Sequence, residues 1–421
     1  MTTYTINTIR QHFRQLSRLK QSLIGTGLFL LLTLLVSAIA FAVFVTTFSF
    51  EGPPLVQEVA LADLNGDGHL DAFLTISPNG EPYGAPDVVL FGDGNGRFSD
   101  SGQVLENYNT FAVALGDVTG DGLIDAVVGN QVYVNMGNGR FNPNGRYLDS
   151  AGMGTFRFQP SLADLDGDGT LDVFGAACCG GAIPEKQALF SEDEVWLNNE
   201  GQLTNSGRQL AQTGSNAAAL GDVNGDGFVD AFVVGGQSTN ADMSTTQKTP
   251  NTVWFNDGTG YFTDSGQRLG LAESKAVSLA DLEGDGDLDA VVGNRGQADE
   301  IWLNDGAGLF SLSSERLGRS TTKKVFLTDL NGDSTADAVM SGETSARVWL
   351  NDGTGRFSRD RRISYEADHA ITLGDVTGDD VFDIFVAGID RYQVWRGEGN
   401  GRFTAGPLYE NALGGSTESS Q

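Results

Sequence analysis

The chain has 421 residues, with 57 glycines, only 10 prolines and a formal net charge of −29. Abundant glycine with little proline indicates many tight turns rather than a disordered chain, which favours a turn-rich β fold. We expect no nucleic acid partner, because the net negative charge of the chain repels the phosphate backbone.

The first fifty residues carry a membrane signal. Residues 1–22 contain four basic side chains and no acid, and the stretch from Gln21 to Phe50 is uncharged. A secretory hydrophobic region usually has about 7–15 residues, and this one is long enough to span a ~30 Å hydrocarbon core. We expect a basic cytoplasmic segment at 1–22, a single-pass transmembrane anchor at 23–50 and an extracytoplasmic remainder. Cleavage after Ala38-Ile39-Ala40, which gives a secreted or periplasmic protein, is the alternative.

One nine-residue pattern then recurs seven times. It reads DLNGDGHLD from Asp63, DVTGDGLID from Asp117, DLDGDGTLD from Asp164, DVNGDGFVD from Asp222, DLEGDGDLD from Asp281, DLNGDSTAD from Asp329 and DVTGDDVFD from Asp375. The first and last copies start 312 residues apart, so the average spacing is 52 residues. A fixed period of this length is typical of repeat architectures.

The residues around each copy predict four short strands. An apolar run, strand A, precedes each acidic loop, and a β-branched run, strand B, follows it. A second signature, such as VWFNDGTGYF from Val253, supplies strand C, a hairpin turn and strand D. Four-stranded units of about 40–50 residues, repeated four to eight times, are typical of β-propellers. The sequence therefore predicts an all-β fold: a seven-bladed propeller of four-stranded blades over 53–410, preceded by one transmembrane helix and followed by a disordered tail at 411–421.

The acidic loops are candidate metal sites. Asp occupies positions 1, 5 and 9 of every loop, and position 3 always offers an oxygen. Carboxylates crowded into one loop repel each other unless a cation cancels their charge. Oxygen ligands without histidine or cysteine select a hard ion, and the flexible geometry favours calcium. The candidate ligands for up to seven calcium ions are Asp63, Asn65, Asp67, Asp71, Asp117, Thr119, Asp121, Asp125, Asp164, Asp166, Asp168, Asp172, Asp222, Asn224, Asp226, Asp230, Asp281, Glu283, Asp285, Asp289, Asp329, Asn331, Asp333, Asp337, Asp375, Thr377, Asp379 and Asp383.

Position 6 of each loop needs a backbone with positive φ, which glycine supplies in five loops. Ser334 and Asp380 replace that glycine in the sixth and seventh loops, so these two sites depart from the pattern. No loop has the glutamate at position 12 that an EF-hand requires. Four acids in the turns between strands C and D are interpreted as turn residues rather than ligands: Asp93, Asp257, Asp305 and Asp352.

This arrangement resembles the FG-GAP and VCBS repeat families, whose best-known fold is the seven-bladed propeller of integrin α-subunits. The resemblance covers 53–410, and it implies that each loop joins strands A and B and binds calcium on the face away from the principal ligand. It also implies that the carbonyl at position 7 is a further ligand. No integrin ligand residues carry over to this chain, because the fold hosts many functions.

Three connections between strands B and C are long: Ile76 to Asp87, Ala176 to Asp193 and Gly236 to Asn251. Long loops on a rigid scaffold commonly carry recognition. We therefore predict an adhesion or recognition module that binds a protein or glycan on the face opposite the calcium loops. A calcium-stiffened structural or assembly component of the cell envelope is the alternative.

Two further predictions concern chemistry. No nucleophile elbow, zinc motif or phosphate loop occurs, so we predict no enzymatic activity and keep a glycan-active enzyme only as the less favoured alternative. The adjacent Cys178 and Cys179 exclude a disulfide framework, and they leave both a vicinal disulfide and a thiol pair open.

Overall fold

The computed structural model describes residues 55–77, 86–105, 111–143, 145–148, 157–178, 192–239, 246–318, 321–366 and 369–410. The predicted cytoplasmic segment, the anchor at 23–50 and the tail at 411–421 lie outside these residues, as does Cys179. Across the described residues, no helix is both long enough and apolar enough to cross a membrane.

The described chain is all-β and forms seven four-stranded sheets and one two-stranded sheet. Blades 1 to 3 contain β1 (Leu55–Ala62), β2 (Asp71–Ser77), β3 (Val88–Gly92), β4 (Phe98–Asp100), β5 (Val113–Gly116), β6 (Asp125–Val128), β7 (Gln131–Tyr133), β8 (Arg146–Tyr147), β9 (Arg157–Ala163), β10 (Asp172–Cys178), β11 (Glu192–Asn199) and β12 (Gln202–Thr213). Blades 4 and 5 contain β13 (Ser215–Gly221), β14 (Asp230–Gly235), β15 (Gln237–Thr239), β16 (Thr246–Lys248), β17 (Thr252–Asn256), β18 (Phe262–Asp264), β19 (Ser274–Ala280), β20 (Asp289–Asn294), β21 (Asp299–Leu303) and β22 (Ser311–Leu317). Blades 6 and 7 contain β23 (Lys324–Thr328), β24 (Asp337–Ser341), β25 (Ser345–Asn351), β26 (Phe357–Ser364), β27 (Ala370–Gly374), β28 (Asp383–Ala387), β29 (Arg391–Gly397) and β30 (Phe403–Glu410).

Each blade is an antiparallel sheet whose four strands follow each other in chain order, as predicted. Blade 4 carries one addition, the hairpin β15–β16, between its second and third strands. Strand B of each blade is apolar because neighbouring blades cover both of its faces. In β14 and β20, for example, every residue is buried.

The tryptophans of strand C pack between neighbouring blades. Trp302 of β21 pairs with Ala290 of its own blade and belongs to a buried cluster with Phe232 and Val253 of blade 4. Trp196, Trp254, Trp349 and Trp395 pack in the same way against the preceding blade. In blades 1 and 2 the tryptophan is replaced by Leu90 and Tyr133, each of which pairs with an alanine of strand B.

The ring closes between blade 1 and blade 7 without an exchanged strand. Blade 1 consists of β1 to β4 and blade 7 of β27 to β30, so each blade is built from one continuous stretch. The two blades share a buried cluster that includes Leu90 and Val376. The Phe98 ring lies 4.5 Å from that of Phe385, measured between centroids. Closure therefore depends on side-to-side packing.

Candidate metal centres

Each acidic loop joins strand A to strand B, so the seven loops lie at the same end of their blades, with the turns between strands C and D. The loops share one hydrogen-bonding scheme. Loop 1 shows it: Asp63 at position 1 accepts the backbone amides of Gly66 (2.8 Å) and Gly68 (2.9 Å). Asp67 at position 5 accepts the amide of His69 (2.9 Å). The six other loops repeat these three bonds.

The aspartate at position 9 is the most buried member of each loop. Asp71 has no exposed surface, and it accepts the backbone amides of Leu64 (3.0 Å) and Gly92 (2.9 Å). The second of these amides belongs to the end of strand C, so the carboxylate ties the loop to the rest of its blade. Its counterparts in the other loops are equally buried: Asp125, Asp172, Asp230, Asp289, Asp337 and Asp383.

Burial makes these carboxylates costly anions. It raises the pKa of Asp172 to about 6, and the nearby charges of Asp166 and Asp168 add to the shift. Burial also raises the pKa of Asp71, Asp230, Asp289 and Asp337 to about 6, and it raises those of Asp125 and Asp383. A cation at the same place would oppose both the desolvation and the repulsion.

The third loop brings three predicted carboxylate ligands together. One carboxylate oxygen from each of Asp164, Asp166 and Asp172 lies within 4.8 Å of the others. Among the described residues, this is the only cluster of three acidic, histidine or cysteine side chains at that spacing.

Most other loops have an uncharged residue at position 3, and it meets the acids directly. In loop 1 the Asn65 amide nitrogen lies 3.0 Å from Asp67 Oδ2 and 3.4 Å from Asp71 Oδ1. In loop 7 the Thr377 hydroxyl donates to Asp383 (3.0 Å). Positions 3, 5 and 9 therefore converge in loop 1, and positions 3 and 9 do so in loop 7.

Loops 6 and 7 keep the same backbone although they lack the glycine. Ser334 and Asp380 have φ values of 67° and 62°, within the left-handed region that glycine occupies in the other loops. Their amides still donate to Asp329 and Asp375, at 2.8 Å in both cases. The prediction of a positive φ at position 6 is confirmed in all seven loops.

The residues present fit a hard divalent cation. The donors are carboxylate, amide and hydroxyl oxygens, with no sulfur and no imidazole at the ligand positions, which is the set calcium prefers. The backbone amides hold the carboxylates in place, and in loop 1 the Asn65 amide, whose nitrogen faces the acids, would have to turn its oxygen towards an ion. Each of the four turn acids accepts an amide of its own turn; Asp257, for example, accepts the Thr259 amide (3.0 Å).

Sequence reasoning missed the asparagine that ends strand C. The Asn256 amide donates to the carbonyl of Val229 in its own loop (3.1 Å) and to that of Leu165 in the loop of blade 3 (2.8 Å). Four other blades repeat this pair of bonds, through Asn135, Asn198, Asn304 and Asn351. The signal was present, since this asparagine recurs in five of the seven strand C signatures.

The opposite end of the blades carries the connections between strands B and C. In blade 6 this connection is only 342–344, whereas blade 4 extends it to 236–251 with the hairpin β15–β16. The predicted long loops of blades 1 and 3 lie mainly outside the described residues.

The seven innermost strands line a central channel of about 380 Å³. Glu58 of β1 and Lys324 of β23 form an ion pair at the end of the channel where these strands begin. Lys324 also donates to the Gln159 amide oxygen (2.9 Å) in the amide orientation that satisfies both of its atoms.

These features define a class: a closed propeller whose every blade carries one acidic loop between its first two strands. The FG-GAP-like repeat matches residues 63–128, 129–175, 222–292, 281–340 and 329–386. These segments cover more than half of the chain, which therefore belongs to the FG-GAP-like repeat family. No curated protein matches the chain.

Solved structures share the fold at low identity. One is an Agrocybe aegerita lectin that recognises non-reducing terminal N-acetylglucosamine: TM-score 0.51, 21% identity, covering 84% of this chain and 93% of the lectin chain. Two others contain BBS1N in complex with ARL6DN, soaked with mercury or with lead, with TM-scores of 0.53 and 0.52. Both are 11% identical and cover 79% of this chain and 89% of theirs. At these identities the likeness shows the fold alone.

Proposed function

We propose that the protein is a membrane-anchored, extracytoplasmic calcium-binding propeller that recognises a protein or glycan on the face opposite its acidic loops. The observation that carries the proposal is that the acidic loops and the extended connection of blade 4 lie at opposite ends of the blades. Seven loops with one hydrogen-bonding scheme stand at one end of the blades, and the extended connection of blade 4 stands at the other. Calcium would hold the first end rigid and leave the second free for binding.

Calcium supplies positive charge to the buried carboxylates, and this chain's residues do the remaining work. Position 9 anchors each loop to its blade, while positions 1 and 5 fold the loop around the site. A ligand at about 100 times its dissociation constant stabilises a fold by ~2.7 kcal/mol per site, so several sites would dominate the stability of this domain.

Calcium binding is tested on the full-length chain in detergent by equilibrium dialysis and thermal melting, with calcium and with chelator. We expect chelation to lower the melting temperature sharply. Asp168→Ala should remove one bound ion, whereas Asp257→Ala, which removes an exposed turn acid, should remove none. An unchanged melting temperature with chelator, or equal stoichiometry for both variants, would reject the metal assignment.

Recognition is tested by replacing 237–249 of blade 4 with the short connection of blade 6. The probes are a panel of immobilised glycans, which includes chains that end in N-acetylglucosamine, and detergent-solubilised envelope proteins. Capture by the native chain should be lost in the shortened variant, while its calcium-dependent melting stays unchanged. Capture that survives the replacement would argue against a ligand at the blade 4 connection.

Two parts of the proposal need separate measurements. Anchoring predicts that the protein resists alkaline extraction from membranes; release into the supernatant would favour the cleaved form. Calcium-dependent melting without capture of any probe would favour the second candidate, a calcium-stiffened component of the cell envelope. The shared scheme of the seven loops is what supports this alternative, because it explains rigidity without a ligand.

A further inference from the structure

The outer strand of blade 6 has an unusual charge. Strand β26 and the residue before it read RFSRDRRIS, which gives four arginines and one acid in a chain whose net charge is −29. The side chains of Arg356, Arg361 and Arg362 are exposed. None of the ion pairs between described side chains involves these three arginines. Arg356 interacts electrostatically with the neighbouring Asp352. Arg361 and Arg362 are the two of these three arginines for which the described residues show no such acid.

Like charges also face each other across this sheet. Arg362 of β26 pairs directly with Arg347 of β25. Side chains of directly paired residues lie side by side on one face, where like charges destabilise the sheet. Arg347 lies near the buried carboxyl group of Asp299 in blade 5, with which it interacts electrostatically. Among the described residues, no acid has such an interaction with Arg362.

The other blades provide internal comparisons at the same register, two residues before the tryptophan of strand C. Blade 5 pairs opposite charges there, Glu300 with Arg316, and blade 7 pairs Gln393 with Leu408. Blade 3 pairs Glu194 with Gln209. Charged side chains on an outer strand can discourage edge-to-edge aggregation, but these blades manage their edges without an arginine pair. Protection of the edge alone does not explain blade 6.

We propose that the outer edge of blade 6 is a binding site for a linear polyanionic glycan, with sulfate or carboxylate groups held from the two sides of the edge by Arg361 and Arg362, which are consecutive in β26 and so lie on opposite faces of the sheet. The planar guanidinium offers forked donors that match both anions. An eight-residue strand is about 26 Å long at ~3.3 Å per residue, which suits an extended polymer. This surface is distinct from the ligand face proposed above, so either site can fail without the other.

A flat anionic membrane fits this edge less well than a linear chain does. The acidic loop of blade 6, from Asp329 to Asp337, and the exposed Asp352 lie at the end of the blade where β26 begins. A planar negative surface that approached the edge would meet these carboxylates as well. A single polymer strand can follow the arginines and avoid the acids.

The test uses the full-length chain in detergent with three probes: heparin, polygalacturonate, and vesicles of three parts phosphatidylcholine to one part phosphatidylglycerol. We expect at least one polymer to bind, more weakly as salt rises because exposed charges are screened. Arg361→Ser with Arg362→Ser should weaken binding about tenfold or more. Arg316→Ser in blade 5, at the register equivalent to Arg362, should change binding less than twofold. Arg361→Lys with Arg362→Lys should give an intermediate affinity.

The outcomes separate the possibilities. Heparin binding alone assigns sulfate, polygalacturonate binding alone assigns carboxylate, and both support the site when the double variant loses them. Failure of both polymers to bind overturns the proposal, including the case in which only the vesicles bind. The single variant Arg362→Ser, which removes the same charge as Arg316→Ser, is measured beside it. An equal loss in these two single variants also overturns the proposal, because it would reflect net charge alone. Thermal melting of each variant shows whether a loss comes from unfolding.

Discussion

The backbone amide of Gly96 donates to the backbone carbonyl of Val376 at 2.8 Å, which joins the first blade of the ring to the last. The same kind of bond links blade 7 to blade 6, from Gly401 to Leu330 (2.9 Å). In blades 2 to 6 the asparagine side chain at the end of strand C reaches the loop of the preceding blade. Blades 1 and 7 have glycine at that position, Gly92 and Gly397, so they lack the asparagine bond and keep the backbone bond, which Gly260 and Gly355 also make in blades 4 and 6.

Removing the Tyr392 hydroxyl should weaken ring closure. This hydroxyl accepts the Phe98 amide (2.7 Å) and donates to the Phe98 carbonyl (3.2 Å), across the boundary between blades 7 and 1. Tyr392→Phe leaves two partly buried backbone groups without their partner, so we expect a loss of about 1–3 kcal/mol in unfolding free energy, measured by denaturant titration. Tyr409→Phe is the control: its ring stacks on Tyr392 at 5.1 Å, and its loss should be below ~0.5 kcal/mol. Equal losses would contradict this account of closure.

Truncating Asn256 should weaken the contact between blade 4 and blade 3. Asn256→Ala removes two donated bonds: the carbonyl of Val229 loses the Asn256 amide, whereas that of Leu165 keeps the backbone amide of Gly260 (2.9 Å). We expect a loss of about 2–3 kcal/mol in unfolding free energy. Asp257→Asn, in the adjacent exposed turn position, should change stability by less than ~0.5 kcal/mol. If Asn256→Ala unfolds no more easily than this control, the inter-blade bond has no energetic role.

Exchanging the residues at position 6 of loops 1 and 6 should change stability in opposite directions. Ser334 holds a left-handed conformation that costs about 1–2 kcal/mol for a residue with a side chain, so Ser334→Gly should stabilise by ~1 kcal/mol. Gly68→Ser should destabilise by a similar amount. A Cβ at Gly68 meets no atom within 4 Å, so its effect reports the backbone alone. The two variants are compared by thermal melting in chelator; shifts of the same sign would refute the argument.

The buried Asp299 should make stability depend on pH. It has 1% exposed surface and accepts the Asn294 amide (2.7 Å) and the Thr322 hydroxyl (2.9 Å). Burial raises its pKa from 3.8 to about 7. Because the folded value is the higher one, the stability associated with this group is complete below pH ~4 and declines as pH rises through about 7.

Asp299→Asn removes that decline while keeping a side chain of the same shape. The unfolding free energy of the variant, relative to that of the native chain, should increase by about 2–4 kcal/mol as the pH rises from 4 to 8. Burial also raises the pKa of five position 9 aspartates to about 6, within the same pH range, so the difference between the two proteins isolates Asp299. Asp264→Asn, whose carboxyl has a pKa lowered by Arg268, should show no such gain. A difference that does not change with pH would rule out the raised pKa.

The blade number, strand order and acidic loops could be predicted from the sequence because they are local patterns repeated in phase. The φ of Ser334 follows from the glycine that its sister loops place at that position. The link from Asn256 to Leu165 could not be predicted in the same way, since its partners are 91 residues apart and nothing near Asn256 marks the carbonyl it reaches. The pairing of Arg347 with Arg362 depends on a shift of register within β25 and β26, which sequence alone does not reveal.

No strand is shared between blades, so the packing of the ring does not depend on which blade comes first in the chain. β30 ends at Glu410 on the outside of blade 7, and β1 starts at Leu55 on the inside of blade 1, as at every other blade boundary. A linker from Glu410 to Leu55 would resemble the connections that join consecutive blades. The gene could then be opened at another boundary, and such circular permutants should fold to the same toroid.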